Sequence, residues 1–247
     1  MRKLAIILCL LALPCLAQNR IVPAMDMIRA SSHAAAGAGG SSVVVTNGLI
    51  GYWTLDGHPN DWTNTANNGT VFGATLTNGV TEGRHAYYFT GGQYIDITNQ
   101  AAFALTADIT ITAWIKPAAQ ATWGLIVGNA TGGGGVGGYG MLFNDVVANA
   151  PEFWARYGGA RYDGSLDANW HFVAIRVASG IVGVYVDGGM ESGTGGSPNL
   201  LETTPNDVHF GAAPVSGQYY QGAIEFVRIY NRAITTNEIN SIYTAQQ

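Results

Sequence analysis

The sequence predicts an all-β sandwich closed by one short C-terminal helix, and three observations carry that expectation. Charge is sparse: Asp, Glu, Lys and Arg make up 11% of 247 residues, while glycine occurs 34 times. Short runs rich in Val, Ile, Thr and aromatic residues recur between Gly, Asn and Asp turn signals, a pattern of many strands rather than of helices. A single segment with helix-entry signals stands near the end of the chain.

The first residues read as an export signal. Arg2 and Lys3 precede an apolar run over 4–13, and Pro14-Cys15-Leu16-Ala17 then places small residues where a signal peptidase cuts. Residues 1–17 are therefore expected to be a signal peptide, cleaved after Ala17. At about ten residues the run is too short to span a bilayer, which takes roughly 20, and no membrane insertion is expected elsewhere. Lipidation of Cys15 is the alternative, and Pro14 immediately before it argues against that. Both cysteines, Cys9 and Cys15, lie in the segment removed, so the exported chain is expected to hold together without disulfides. Residues 18–47 contain a small-residue tract over 34–42 and read as a flexible linker or propeptide. The folded domain is expected over 48–247, a length suited to one all-β sandwich.

Individual strands follow from alternation. Ile109, Ile111, Ala113 and Ile115 alternate with Thr110, Thr112, Trp114 and Lys116, which gives one apolar face. His171, Val173, Ile175 and Val177 alternate in the same way with Trp170, Phe172, Ala174 and Arg176. The next run, 181–186, ends in Asp187-Gly188, a pair suited to the positive φ values of a tight hairpin. The two runs are expected to be antiparallel neighbours. Further strands are expected at 49–55, 85–90, 93–98, 124–129, 139–144, 152–157, 208–211 and 220–230. Thr235 and Glu238 have capping-box spacing, Ile234 and Ile239 staple spacing, and Ile239, Ile242 and Tyr243 line one face of the helix they open.

Charge and motifs exclude several functions. Without Arg2 and Lys3 the 11 basic residues fall to 9 against 16 acidic ones, a net charge of −7, and Lys116 is the sole remaining lysine. Nucleic acid is not an expected partner, because phosphate binding needs clustered cations. His33, His58, His85, His171 and His209 are scattered without zinc-site spacing. His171 falls on an apolar strand face and is expected to be buried with a backbone partner. No Gly-x-Ser-x-Gly elbow is present. The glycine-rich tract over 132–138 is not followed by Gly-Lys-Ser or Gly-Lys-Thr, so it reads as a flexible loop rather than a phosphate loop.

Six segments occur in a telling order: GYWTLD from Gly51, YIDI from Tyr94, ITITAWIKP from Ile109, WHFVA from Trp170, VYVDG from Val184 and GAIEFVRIYNRA from Gly222. Together they resemble the concanavalin A-like lectin/glucanase superfamily, in its laminin G-like jelly-roll branch, over residues 48–245. The resemblance implies an antiparallel two-sheet β-sandwich (jelly roll), one sheet concave, with calcium at the rim in many members. It spreads function over lectins, carbohydrate-binding modules, glucanases, adhesion domains and spacers. Glucanases of this fold carry Glu-x-Asp-x-Glu on one strand, which sets two carboxylates about 5 Å apart across the scissile bond. Here Asp96 has Tyr94 and Thr98 two positions away, and Asp187 and Glu191 are separated by Gly188-Gly189, so no catalytic residue is expected. For a structural calcium, which takes six to eight oxygens, the loop 56–68 offers Asp56, Asn60, Asp61, Asn64, Asn67 and Asn68. The resemblance assigns Glu225 to complete a set of Asp56, Asp61 and Glu225. Family members often have Asp there followed by another acid, whereas this chain has Glu225-Phe226; the alternative is an Asx-rich loop without metal.

Glycan binding needs aromatic rings on a solvated face with polar neighbours. Alternation along 152–157 groups Glu152, Trp154 and Arg156 on one side and Phe153, Ala155 and Tyr157 on the other. The first trio is the expected ligand face, with Trp62 and Tyr219 as further ligand-binding residues. The alternative is that the glycine-rich loop covers Trp154 and that Glu152 and Arg156 form a surface ion pair worth under about 1 kcal/mol. The sequence thus points to a secreted, periplasmic or cell-surface, non-catalytic, lectin-like module with a polysaccharide or glycan as partner. A structural or adhesion module binding a surface protein is the alternative, and a glycoside hydrolase is a third reading.

Overall fold

The computed structural model describes residues 45–118, 124–130, 138–143, 150–155, 158–162, 164–194, 206–213 and 217–247, with the backbone course alone at 153–155, 158, 161 and 191–194. The expected signal peptide and most of the expected linker lie outside these residues, as does nearly all of the glycine-rich tract. Among the described residues, no helix is long and apolar enough to cross a membrane.

Two antiparallel sheets carry the fold. The first runs β13 (Gly189–Thr194), β12 (Ile181–Val186), β11 (His171–Ala178), β6 (Ile109–Pro117), β15 (Gln221–Tyr230), β4 (His85–Thr90) and β3 (Thr75–Asn78), with β1 (Leu49–Trp53) also on β15. The second runs β10 (Gly158–Arg161), β9 (Pro151–Ala155), β8 (Tyr139–Phe143), β7 (Leu125–Gly128), β14 (Val208–Phe210), β5 (Tyr94–Ile97) and β2 (Thr70–Phe72). Alternation sends one face of each sheet into a shared core. Trp53, Phe89, Ile111, Ile115, Val173, Ile175 and Val227 come from the first sheet, and Ile95, Ile97, Tyr139, Met141, Phe143 and Phe210 from the second. Each fully buried aliphatic side chain contributes roughly 1.5–3 kcal/mol. Trp53 is anchored as well, its indole N–H donating to the Asn67 carbonyl at 2.9 Å.

The outer face of the first sheet is covered by the C-terminal helix α1 (Thr236–Thr244). Ile234, Ile239 and Ile242 pack with Trp114, Phe172, Tyr185 and Tyr230 into a second apolar cluster. The capping box forms: Thr235 accepts from the Glu238 amide and the Glu238 carboxylate accepts from the Thr235 amide. Arg232 clamps the same carboxylate, with Nη1 at 3.0 Å from Oε2.

Two local readings change. Asp187 and Gly188, at φ 48° and 85°, turn the chain from β12 into β13, whereas β11 and β12 are joined at Ser179-Gly180, also at positive φ. His171 takes two carboxylates rather than a backbone partner: Nδ1 lies 2.9 Å from Asp187 and Nε2 3.0 Å from Asp167. These hydrogen bonds, that to Asp187 foremost, raise its pKa against the opposing effect of burial.

Candidate functional site

The outer face of the second sheet is built by the same alternation that fills the core. On β5, Ile95 and Ile97 point into the core, which leaves Tyr94 and Asp96 outside. On β14, Val208 and Phe210 are in the core and His209 is outside. On β2, Val71 packs on the core, so Thr70 and Phe72 face away. Register then aligns Phe72 with Tyr94, Thr70 with Asp96, and Asp96 with His209. The three rings form a ladder across the strands: Phe72 stacks on Tyr94 at 4.7 Å and Tyr94 on His209 at 4.8 Å, within 17° and 14° of parallel. Phe72, at the outer end, is 44% exposed, while His209 is only 7% exposed. Asp207, just before β14, lies beside Asp96 and His209. Burial, with Asp207 adding to it, raises the Asp96 pKa while His209 pulls it down.

The cross-strand row continues beyond His209 through Gly128, Gly140 and Trp154 to Gly159. Gly128 is required there, since a Cβ would come within 2.4 Å of the Tyr139 carbonyl oxygen. Both glycines are buried, and the Leu125 side chain fills the space beside Gly140, where a Cβ would come within 2.9 Å of Leu125 Cδ1. Glu152, half-buried, is aligned between Leu142 and Arg161, and the Trp154 backbone between Gly140 and Gly159. Arg156 lies outside the described residues. Tyr219 is 41% exposed and bridges to Leu125 and Ala212, so it adjoins the same sheet. Trp62 stands elsewhere. It packs on the cluster outside the first sheet, with its indole N–H donating to Thr54 Oγ1 at 3.3 Å.

The three residues expected to hold calcium have protein partners. Asp61 is buried, and its Oδ1 accepts from the amides of Tyr52 and Thr63 at 2.8 and 2.9 Å. Its Oδ2 accepts from Thr63 Oγ1 at 2.8 Å and Asn67 Nδ2 at 2.7 Å. A bulge in β15 at Glu225–Arg228, with Phe226 at φ 52°, sets Glu225 against the Val80 amide at 2.6 Å and Arg84 Nε at 3.1 Å. Burial pushes the Glu225 pKa up to about 7 despite both donors. The Arg84 guanidinium also reaches Asp56 at 3.6 Å, and Asp56 Oδ1 accepts from the His85 amide at 2.8 Å. Arg84 thus joins Asp56 to Glu225, while Asp61 organises its own loop. Among the described residues, the carboxylate oxygens of these three do not come together within 4.8 Å of one another.

Asp207 and His209 escaped the sequence reading, although Asp207-Val208-His209 is an alternating polar–apolar–polar step. Their partner Asp96 sits on a strand distant in the chain, and register alone brings them together.

Comparison with known proteins agrees with this architecture. A laminin G family model described as concanavalin A-like lectin/glucanases superfamily matches residues 89–240. No curated protein sequence matches. Domain 4 of AbnA, a GH43 extracellular arabinanase from Geobacillus stearothermophilus solved in complex with arabinotriose, is similar in structure. Its TM-score is 0.64 at 17% identity, over 81% of this chain and 98% of that one. A sialidase from Trypanosoma rangeli matches with TM-score 0.64 at 16% identity, over 90% of this chain and 38% of its own. The binding domain of botulinum neurotoxin DC in complex with SialylT gives 0.60 at 14%, over 81% and 52%.

Proposed function

The chain belongs to the concanavalin A-like lectin/glucanases superfamily, and on that premise we propose that it is an exported, non-catalytic carbohydrate-binding module whose glycan lies on the outer face of the second sheet. The observation that carries this reading is the ladder ending in exposed Phe72, with Thr70 and Asp96 beside it. An aromatic ring flanked by hydroxyl and carboxylate groups supplies both an apolar surface for a sugar ring and acceptors for its hydroxyls. Trp154 lies farther along the same cross-strand row, beyond the buried Gly128 and Gly140. Support comes from similar structures whose partners are arabinotriose and SialylT.

The test is retention of the purified chain on an array of immobilised polysaccharides, comparing wild type with Phe72→Ala and Trp154→Ala. Loss of one stacking surface worth about 1.4 kcal/mol weakens binding about tenfold. Unaltered retention of both variants, with unchanged circular dichroism, would remove the second sheet from consideration. A hydrolase reading has one observation in its favour, the neighbouring carboxylates of Asp96 and Asp207. Release of reducing ends by wild type but not by Asp96→Asn would replace binding with catalysis.

A further inference from the structure

We propose that Asp96, Asp207 and His209 bind one divalent transition-metal ion of the zinc class on the outer face of the second sheet. One ligand atom from each residue lies within 4.8 Å of the others. Asp96 Oδ1 faces His209 Nε2 at 3.3 Å, and a tetrahedral shell with bonds of about 2.0–2.1 Å has ligand–ligand edges of about 3.3 Å. The pair is therefore already spaced as two corners of such a shell, and the Asp207 ligand atom lies within 4.8 Å of both.

Unmet polar atoms supply the second, independent argument. Asp207 Oδ1 and His209 Nδ1 are buried and have no hydrogen-bond partner among the described residues, and Asp96 Oδ1, also buried, has only the long contact of 3.3 Å to His209 Nε2. The His209 side chain, 9% exposed, is nine-tenths buried with its Nε2 turned toward Asp96. Buried polar atoms are ordinarily satisfied, and two adjacent carboxylates repel each other when both are ionised. A dication removes the repulsion and gives the oxygens a partner. Elsewhere in the described molecule the acidic side chains of Asp61 and Glu225 have their donors, which sets this cluster apart.

The scaffold holds the ligands in place. Asp207 and His209 are alternate residues on one side of the same extended segment, Asp96 is directly opposite His209 in register, and stacking on Tyr94 fixes the imidazole plane. A nitrogen with two carboxylate oxygens suits zinc, cobalt or nickel; calcium takes six to eight oxygens. Three protein ligands also leave a coordination position for water or a ligand oxygen.

Metal binding can be read without any sugar, so the result is separate from the glycan reading. The purified, chelator-stripped chain, free of any histidine tag, is titrated with zinc and with cobalt in a calorimeter and a spectrophotometer. Saturable binding of one zinc per chain is expected, with visible cobalt absorbance of low-coordinate type. Asp207→Asn, nearly isosteric, and His209→Gln each weaken binding by about 10–100-fold or more, while circular dichroism of Asp207→Asn stays that of wild type. Absence of saturable one-to-one binding in the wild type overturns the proposal. Equal affinity in wild type and both variants overturns it too, by placing the ion elsewhere.

Discussion

Replacing Asp61 by alanine isolates the question of what holds the Asx-rich loop. The carboxylate accepts four hydrogen bonds, from the Tyr52 amide, the Thr63 amide and hydroxyl, and Asn67 Nδ2. Thr63 is half-buried, and water can replace its lost acceptors. The Tyr52 amide and the Asn67 side-chain N–H are buried, and each buried donor left without a partner costs about 1–3 kcal/mol. Burial of the carboxylate, which raises the Asp61 pKa, offsets part of that loss, so about 2–4 kcal/mol is expected. For a domain of about 200 residues this lowers Tm by roughly 4–16 °C. Asp61→Asn keeps the Oδ1 acceptor but turns an amide donor toward Asn67 Nδ2, and it should lose about half as much. Urea denaturation of the three proteins, with added calcium and again with a chelator, decides the matter. The expected loss is the same in both solutions. A variant within about 0.5 kcal/mol of wild type would refute the hydrogen-bond account, and a loss confined to the calcium-containing solution would show that Asp61 acts as a metal ligand.

Four further outcomes are expected. The Glu225 pKa is raised in the folded chain to about 7, so its contribution is full below about pH 4.5 and is lost as pH rises through 7. Stability should fall by up to roughly 3 kcal/mol between pH 5 and 8, and urea midpoints of Glu225→Gln should fall much less steeply over that interval; an unchanged slope contradicts the assignment. His171, also raised, adds to the slope in the same direction, its contribution being lost as pH rises above 6.5, so His171→Gln should remove a smaller part. Thr235→Ala breaks the capping box and should cost about 1 kcal/mol in the same denaturation assay. Intact mass of the exported protein should correspond to a chain beginning at Gln18 with no added lipid; a lipid mass on Cys15 would contradict signal cleavage after Ala17.

How far the sequence discloses this molecule depends on where a residue's partner lies. Strands β4, β6 and β11 are legible because a buried face leaves its alternation in the sequence. The four strands that escape, β2, β3, β10 and β13, are the outer strands of the two sheet paths. They are short or rich in Gly, Thr and Asn, and a strand with a neighbour on one side only carries a weaker packing imprint. The Asx-rich loop is hard to read for a related reason. Composition counts oxygens but does not show that Asp61 spends both of its own on amide, hydroxyl and side-chain donors, or that Arg84 stands beside Asp56 and Glu225. The cluster of Asp96, Asp207 and His209 shows the same limit from the other side. A search for paired carboxylates along one strand passes over Asp96, because its neighbours at that spacing are Tyr94 and Thr98. The pairing runs instead across strands, through the alignment of β5 with β14, and that alignment is fixed by which of Ile95, Ile97, Val208 and Phe210 must reach the core. Core packing, which selects the register, therefore also selects which polar residues meet on the outer face.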